Sequence, residues 1–323
     1  MKKIISVLFV ALMLSACGDR LGQRRVNIAI VGKASTPYWS DMELGARAAG
    51  KRLNVSIKFY NPYEEDPASW QIRTIGELIS NPLDGIAFVA ADPKSLAPIM
   101  AKAIQSEIPC VALDTDMVGK SRHVYIGTGD YRAGEQAGEN LLSLLDNKGS
   151  IAIVVSLSTN TRSLKRVRGF RDTLADNTGV EIVAKMEKEN SDVQPSDVES
   201  LFASYPDLNG IFCVSDSDAL ATAEAIQKIG KAGQVKVISI GESPALMEYV
   251  RDDVIQVAIA RRPYRVGFLS VLALHNMAKV GIQRAMKILP ESGIIDTGTT
   301  LVTPVNIDQY REELTNLGIE VTF

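Results

Sequence analysis

Histidine is nearly missing: only His123 and His275 occur in 323 residues, and that scarcity removes whole classes of chemistry. Neither has metal-ligand spacing such as HExxH, and no GxSxG nucleophile elbow is present for either to serve. His123 lies beside a strand with no acidic helper in sequence and His275 lies on a helix, so both read as structural. Cysteine is as sparse, at Cys17, Cys110 and Cys213. The last two sit inside apolar runs, Ile-Pro-Cys-Val-Ala-Leu and Gly-Ile-Phe-Cys-Val, without CxxC spacing. They read as buried free thiols rather than as a disulfide or a metal pair. No long block of one charge exists, the net charge is −3, and no basic stripe marks a nucleic-acid surface. The first strand–helix turn has no GxGxxG, and Gly127-Thr128-Gly129 lacks the third glycine at the right offset for a dinucleotide. The expectation is a chain that is not an enzyme, with no cofactor, no metal and no nucleic-acid partner.

Long apolar runs are missing too, apart from Ile4–Leu14, which falls short of the roughly 20 residues a spanning helix needs. Lys2 and Lys3 precede it, and Leu14-Ser15-Ala16-Cys17 follows. A charged start, a short apolar core and small residues before a cleavage point describe an export signal. The motif resembles the lipobox of bacterial lipoproteins, in which Cys17 becomes the acylated first residue; an ordinary signal peptide with a chance cysteine is the alternative. Residues 1–16 are thus expected to be a leader and 17–25 a lipidated tether. The mature chain would work outside the cytoplasm, on the periplasmic side, held to a membrane by lipid.

What the sequence does contain is alternation. Short β-branched runs at Val26–Val31, Val55–Tyr60, Gly85–Val89, Cys110–Leu113 and Val124–Ile126 read as buried strands. Helical spacing fills the gaps at Trp39–Leu53, Trp70–Ile79 and Leu96–Gln105. The series restarts with strands at Ile151–Val155, Glu181–Ala184, Gly210–Val214, Val235–Ile240 and Ile255–Ala260. Helices at Ala133–Leu145, Leu164–Leu174, Val198–Tyr205 and Ala219–Ile229 separate them. Such order builds parallel sheets through right-handed crossovers, and continuously apolar strands fit sheets covered on both faces. The chain is longer than one core usually organises. The fold class expected is α/β, with two doubly wound parallel-sheet lobes joined by a three-strand hinge. A helix at Val266–Lys279, a strand at Thr299–Thr303 and a last helix at Ile307–Leu317 complete the lobes. The first lobe is expected over 26–128 plus 263–296, the second over 129–262 plus 297–323.

Open parallel sheets bind ligands beyond the carboxyl ends of their strands. There the first strand is followed by Pro37-Tyr38-Trp39, where one ring can pack inward and the other offer a flat face to a sugar-like ligand. A hydrophobic staple at the helix start is the competing role. Asp114 follows the fourth strand and can accept two hydrogen bonds from vicinal hydroxyls, or cap the next turn. In the second series Ser215 and Asp216 could face the crevice, with Ser217 or Asp218 capping the helix. Arg162 is the best basic candidate. Arg261, at an expected lobe crossing, could meet ligand or hold the hinge, and Glu242 follows a glycine that permits close approach. Trp70 and Asp92 are weaker candidates.

Pro37-Tyr38-Trp39, Leu113-Asp114, Arg166 with Gly169-Phe170, Ser215-Asp216 with Ala219-Leu220, Pro263-Tyr264 with Gly267, and Asp296-Thr297-Gly298 arrive in a telling order. It resembles that of the ribose/galactose-type periplasmic binding proteins, over nearly the whole chain from Val26 to about Gly318. The resemblance implies a two-lobed, monomeric binding protein that closes on a small ligand, commonly a sugar, and delivers it to an ABC importer. Tyr38, Trp39, Asp114, Ser215 and Asp216 match family ligand positions, and Arg166 a structural one. The alternative partner is a membrane sensor, a kinase or chemoreceptor reading the closed form with a sugar or furanosyl autoinducer bound. Departures are visible. Thr115 stands where pentose binders have arginine, Leu164 where they place a ligand arginine, Gly241 where they have aspartate, and Arg261 where an amide is usual. A ligand with an acidic or strongly accepting group would suit Arg162 and Arg261.

Overall fold

The computed structural model describes residues 24–34, 36–62, 66–81, 83–119, 121–156 and 160–323. The expected leader and Cys17 lie outside the described residues. In chain order the strands are β1 (Asn27–Val31), β2 (Ser56–Tyr60), β3 (Gly85–Phe88), β4 (Cys110–Leu113), β5 (Val124–Gly127) and β6 (Gly149–Val155). Then come β7 (Val180–Glu187), β8 (Leu208–Cys213), β9 (Lys236–Ile240), β10 (Val257–Ala260), β11 (Ile294–Asp296) and β12 (Thr300–Val302). They form two six-stranded sheets, ordered β11-β5-β4-β3-β1-β2 and β12-β10-β9-β8-β6-β7. Strands such as β3, β4 and β10 are buried along their whole length, as sheets clothed by helices on both faces require.

Helices α1 (Pro37–Leu53), α2 (Pro67–Ile79), α3 (Pro93–Gln105), α4 (Asp130–Leu144) and α5 (Thr161–Leu174) are followed by α6 (Pro195–Ser204) and α7 (Asp216–Lys228). The last four are α8 (Pro244–Arg251), α9 (Pro263–Val280), α10 (Ile282–Met286) and α11 (Ile307–Asn316). Several begin earlier than apolar spacing suggests, and for one reason. Pro37, Pro67, Pro93 and Pro195 open them, and proline fits the first turn because the N–H it lacks has no partner there anyway. The periodic apolar residues begin only a turn later. Helices α8 and α10 and strand β11 escaped sequence reading because each is too short to establish a period.

The chain passes between sheets three times, from β5 to α4, from β10 to α9 and from β11 to β12. Among the described residues every strand pairing is parallel except that of β12 with β10, a departure from the two wholly parallel sheets expected. The reason is entry direction. Strand β11 ends at the crevice, only three residues join it to β12, and so β12 starts at the crevice and runs away from it.

Two helix crossings set the frame. A Cβ on Gly45 would strike the Tyr264 carbonyl oxygen and one on Gly267 that of Met42, so α1 and α9 touch backbone to backbone. Gly134 and Gly169 do the same for α4 and α5 against the carbonyls of Arg166 and Tyr131. The first crossing fixes Tyr38 near the start of α1, the second fixes Arg162 and Arg166 near the start of α5. Each lobe also has a buried polar clasp. Gln71 donates to the carbonyls of Gly32 (2.8 Å) and Val89 (2.6 Å), tying the loops after β1 and β3. Asp218 accepts from the Ser156 amide (2.7 Å) and the Ser215 hydroxyl (2.7 Å), tying those after β6 and β8. Cys110 and Cys213 are buried and free, and burial pushes the Cys110 thiol up to about 12. Among the described residues no helix is long and apolar enough to cross a membrane.

Candidate ligand cleft between the lobes

Asp114 stands at the centre. It follows β4 in the left-handed region (φ 55°), a conformation aspartate tolerates better than most residues. Its backbone is held by the Tyr125 hydroxyl, which donates to the Asp114 carbonyl at 3.1 Å. The carboxylate is 2% exposed and does not cap the next turn. It accepts from the Tyr38 hydroxyl at 2.7 Å and, across the crevice, from the Arg162 guanidinium at 2.6 Å. Burial acts to raise its pKa, but Arg162, Arg261, the Tyr38 hydrogen bond and Lys33 outweigh it and hold the group at about 2. Neighbouring Asp116 is engaged by Arg122.

The two adjacent aromatics divide their work. Tyr38 and Trp39 meet edge to face with centroids 4.8 Å apart. Trp39 packs against the first-lobe core and carries Lys33 over its ring at 5.7 Å. Tyr38 lies under the Arg261 guanidinium at 4.3 Å, a cation–π contact between lobes. Lys33 also donates to Thr115 at 3.2 Å; burial, then Arg162 and Arg261, lower its pKa against the pull of Asp114.

From the second lobe, Arg162 reaches both Asp114 and Asp130, the latter at 3.3 Å. Asp130 opens α4 and also accepts from Arg166 at 2.8 Å, while Arg166 donates to the Val214 carbonyl at 2.9 Å. An arginine–aspartate–arginine array thus underlies the cleft floor. Arg261 donates from its backbone (3.0 Å) and from Nε (2.9 Å) to Glu242, pairs with that carboxylate through a second nitrogen, and approaches Asp216 at 3.8 Å. Asp216 accepts from the Ser243 amide at 2.9 Å. A Cβ on Gly241 would run into the Asp216 carboxylate, so the glycine makes room for an acid rather than for a close backbone approach. Burial, then Glu242, raise the Asp216 pKa.

Tyr38, Asp114, Arg162, Asp216, Glu242 and Arg261 therefore share one crevice. Ser215 serves the scaffold instead. Its hydroxyl caps α7 and is bonded to Asp218, where Ser217 or Asp218 was expected to cap. Asp92 caps α3, and Trp70 packs on the first-lobe core. Arg162 and Arg261, for which the sequence suggested a ligand with an acidic or strongly accepting group, are both paired with carboxylates of the crevice. Among the described residues of the cleft, Lys33, Arg162, Arg166 and Arg261 face Asp114, Asp130, Asp216 and Glu242, and these charges cancel.

The family model for the periplasmic binding protein domain matches residues 28–282. The chain belongs to that family. As a periplasmic binding protein it is 27% identical to the D-ribose/D-allose-binding protein of Pseudomonas aeruginosa, over 94% of this chain and 99% of the relative. The D-allose-binding periplasmic protein of Escherichia coli is 23% identical, over 91% and 97%. Among solved structures, a sugar ABC transporter sugar-binding protein from Bacillus halodurans superposes with a TM-score of 0.80 at 26% identity, covering 89% of this chain and all of that one.

Three polar residues of this binding protein's cleft escaped sequence reading. Lys33 lacks any motif, and Thr115, visible only as a departure from the pentose binders' arginine, gains its partner Lys33 through the fold. Asp130 was legible as an acid at a helix start directly after Gly127-Thr128-Gly129, a segment weighed only as a failed phosphate loop.

Proposed function

We propose that the chain is an extracytoplasmic solute-binding receptor whose two lobes close on a neutral sugar and present it to an ABC importer. The observation that carries this reading is Asp114, a buried carboxylate at a strand end, engaged simultaneously by a side chain of its own lobe and by Arg162 of the other. A sugar's vicinal hydroxyls are matched donors for that carboxylate. Tyr38 presents an aromatic surface beside it, of the kind that packs on sugar C–H faces. Charge cancellation in the crevice favours an uncharged polyol over an anionic sugar. The sugars named for the relatives, ribose and allose among them, agree with that chemistry.

The residues also explain closure. Arg162 on Asp114 and Arg261 on Tyr38 already span the crevice, and a ligand that contacts both sides adds further contacts that only the closed state makes. One that touched a single lobe would shift nothing, since only differential affinity moves populations. Tyr38, Asp114, Arg162, Asp216, Glu242 and Arg261 are assigned to ligand contact, Trp39 to supporting Tyr38, and Ser215 to holding the α7 loop. The 26–128 plus 263–296 and 129–262 plus 297–323 halves move as the two bodies of one monomer. Lipid at Cys17 confines them near the membrane partner and raises effective concentration there. Calorimetry with pentoses, hexoses and their uronic acids is expected to reveal a neutral sugar as the best ligand, and deletion of the protein to abolish uptake of that sugar. A preference for the uronic acids, or undiminished uptake, would overturn the assignment; fatty-acid labelling lost in Cys17→Ser checks the anchor.

A further inference from the structure

A cavity of about 610 Å³ adjoins the cleft on the side of the Glu242–Arg261 pair, within the roughly 300–1,000 Å³ range of small-molecule sites. It meets the crevice at the Glu242–Arg261 pair. Glu242 and Arg261 border both spaces, and Asp41, one turn beyond Tyr38 on α1, lines the cavity wall. The remaining wall mixes an apolar part, Phe268 from α9 facing Leu314 and Leu317 from α11 and its C-terminal end, with polar side chains at Arg262, Arg265, Thr300 and Glu313. Deep in it sits Tyr310, 7% exposed, whose hydroxyl has no hydrogen-bond partner among the described residues. Burial, then the carboxylates of Glu242, Asp41, Asp216 and Glu313, raise its pKa.

We propose that the ligand is a glycoside, a sugar whose anomeric carbon carries an apolar, preferably aromatic, substituent, with the sugar at Asp114 and the substituent in this cavity. The proposal rests on the sugar-binding reading above. A bare monosaccharide, polar around its rim, gains nothing from Phe268, Leu314 and Leu317, and a hydroxyl set against those three side chains, away from the polar part of the wall, is desolvated unfavourably. An aromatic substituent fits that wall, while the Tyr310 hydroxyl remains available to its linking oxygen or ring substituent. Because α9 belongs to the first lobe and α11 packs into the core of the second, the substituent touches both lobes and favours closure.

The test uses the mature chain with free D-ribose, D-allose, L-arabinose, D-xylose, D-glucose and D-galactose, and both anomers of their methyl and p-nitrophenyl glycosides. For the sugar that binds, the p-nitrophenyl glycoside is expected to bind about tenfold or more tighter than the methyl glycoside of the same anomer. Leu317→Ser, at a position 41% exposed and therefore tolerant in folding, and Phe268→Ala are each expected to erase that advantage while leaving free-sugar affinity within about twofold. Equal affinity of aryl and methyl glycosides, or an advantage that survives both substitutions, overturns the glycoside proposal while sugar binding stands. Failure of every sugar and glycoside to bind overturns the sugar reading and this proposal with it.

Discussion

The two lobes use one frame and opposite chemistry. Each has a parallel sheet, a glycine-mediated helix crossing behind the crevice and a buried polar clasp, Gln71 in the first and Asp218 in the second. Their crevice faces differ. The first offers an aromatic surface and a carboxylate fixed by the left-handed backbone of Asp114 and by Tyr38. The second offers long charged side chains, Arg162 and Arg261, with Asp216 and Glu242 close by. A short carboxylate on a strained turn is preorganised, whereas arginine brings reach and rotamer freedom. One face is an anvil and the other supplies the adjustable grip.

The largest effect is expected where the shared frame is broken. Gly267→Val and Gly169→Val each force a side chain into a carbonyl oxygen of the crossing helix and should cost about 3 kcal/mol, lowering Tm by roughly 6–12 °C. Calorimetry of the two variants tests the equivalence of the lobes. A near-wild-type Tm in either shows that its crossing does not hold that lobe.

The crevice faces come next. Asp114→Asn removes the charge and one of the two acceptor oxygens that serve Tyr38 and Arg162 and should weaken sugar binding by roughly 1.5–3 kcal/mol, about 10–150-fold. Asp216→Asn should cost less, about tenfold at most, because Asp216 is held by Ser243 of its own lobe and meets Arg261 only at 3.8 Å. Titration calorimetry on both variants decides it. A larger loss from Asp216 would reverse the roles assigned to the faces.

The smallest effect is in pH dependence, where two first-lobe carboxylates act with opposite sign. Asp114 lies below its ordinary value of 3.8, at about 2. Its stabilisation is present above about pH 4 and lost as pH falls toward 2. Asp41 is raised to about 6 by burial and then by Glu242. The folded state therefore holds an extra proton between about pH 4 and 6, and stability declines as pH rises through that window. Asp41→Asn should flatten the decline, and Asp114→Asn the acid-side loss. Urea midpoints measured from pH 3 to 8 check both, and an unaltered slope in Asp41→Asn would remove Asp41 from the account.

Much of this was legible beforehand, for identifiable reasons. Runs such as Cys110–Leu113 and Ile151–Val155 are continuously apolar because both faces of the sheet are covered, and such runs are hard to mistake. Asp114 and Tyr38 stood out because strand ends and helix starts are where parallel sheets keep their sites. Arg166 read as structural and lies 6% exposed on Asp130. Less visible were Lys33, Asp130 and the wall contributed by Tyr310, since nothing along the chain joins positions so far apart. The carboxylate partners of Arg162 and Arg261 were hidden for the same reason, because a sequence displays arginines without their partners.

By itself, the order of apolar runs and turn residues determined two α/β lobes, their three crossings and a crevice at the strand ends, because burial and helix periodicity act locally along the chain. Only tertiary structure decided that the crevice charges cancel and that an apolar cavity opens beside the Glu242–Arg261 pair. Coulombic pairing and cavity shape depend on distances between residues far apart in sequence, and the chain sets those distances only by folding.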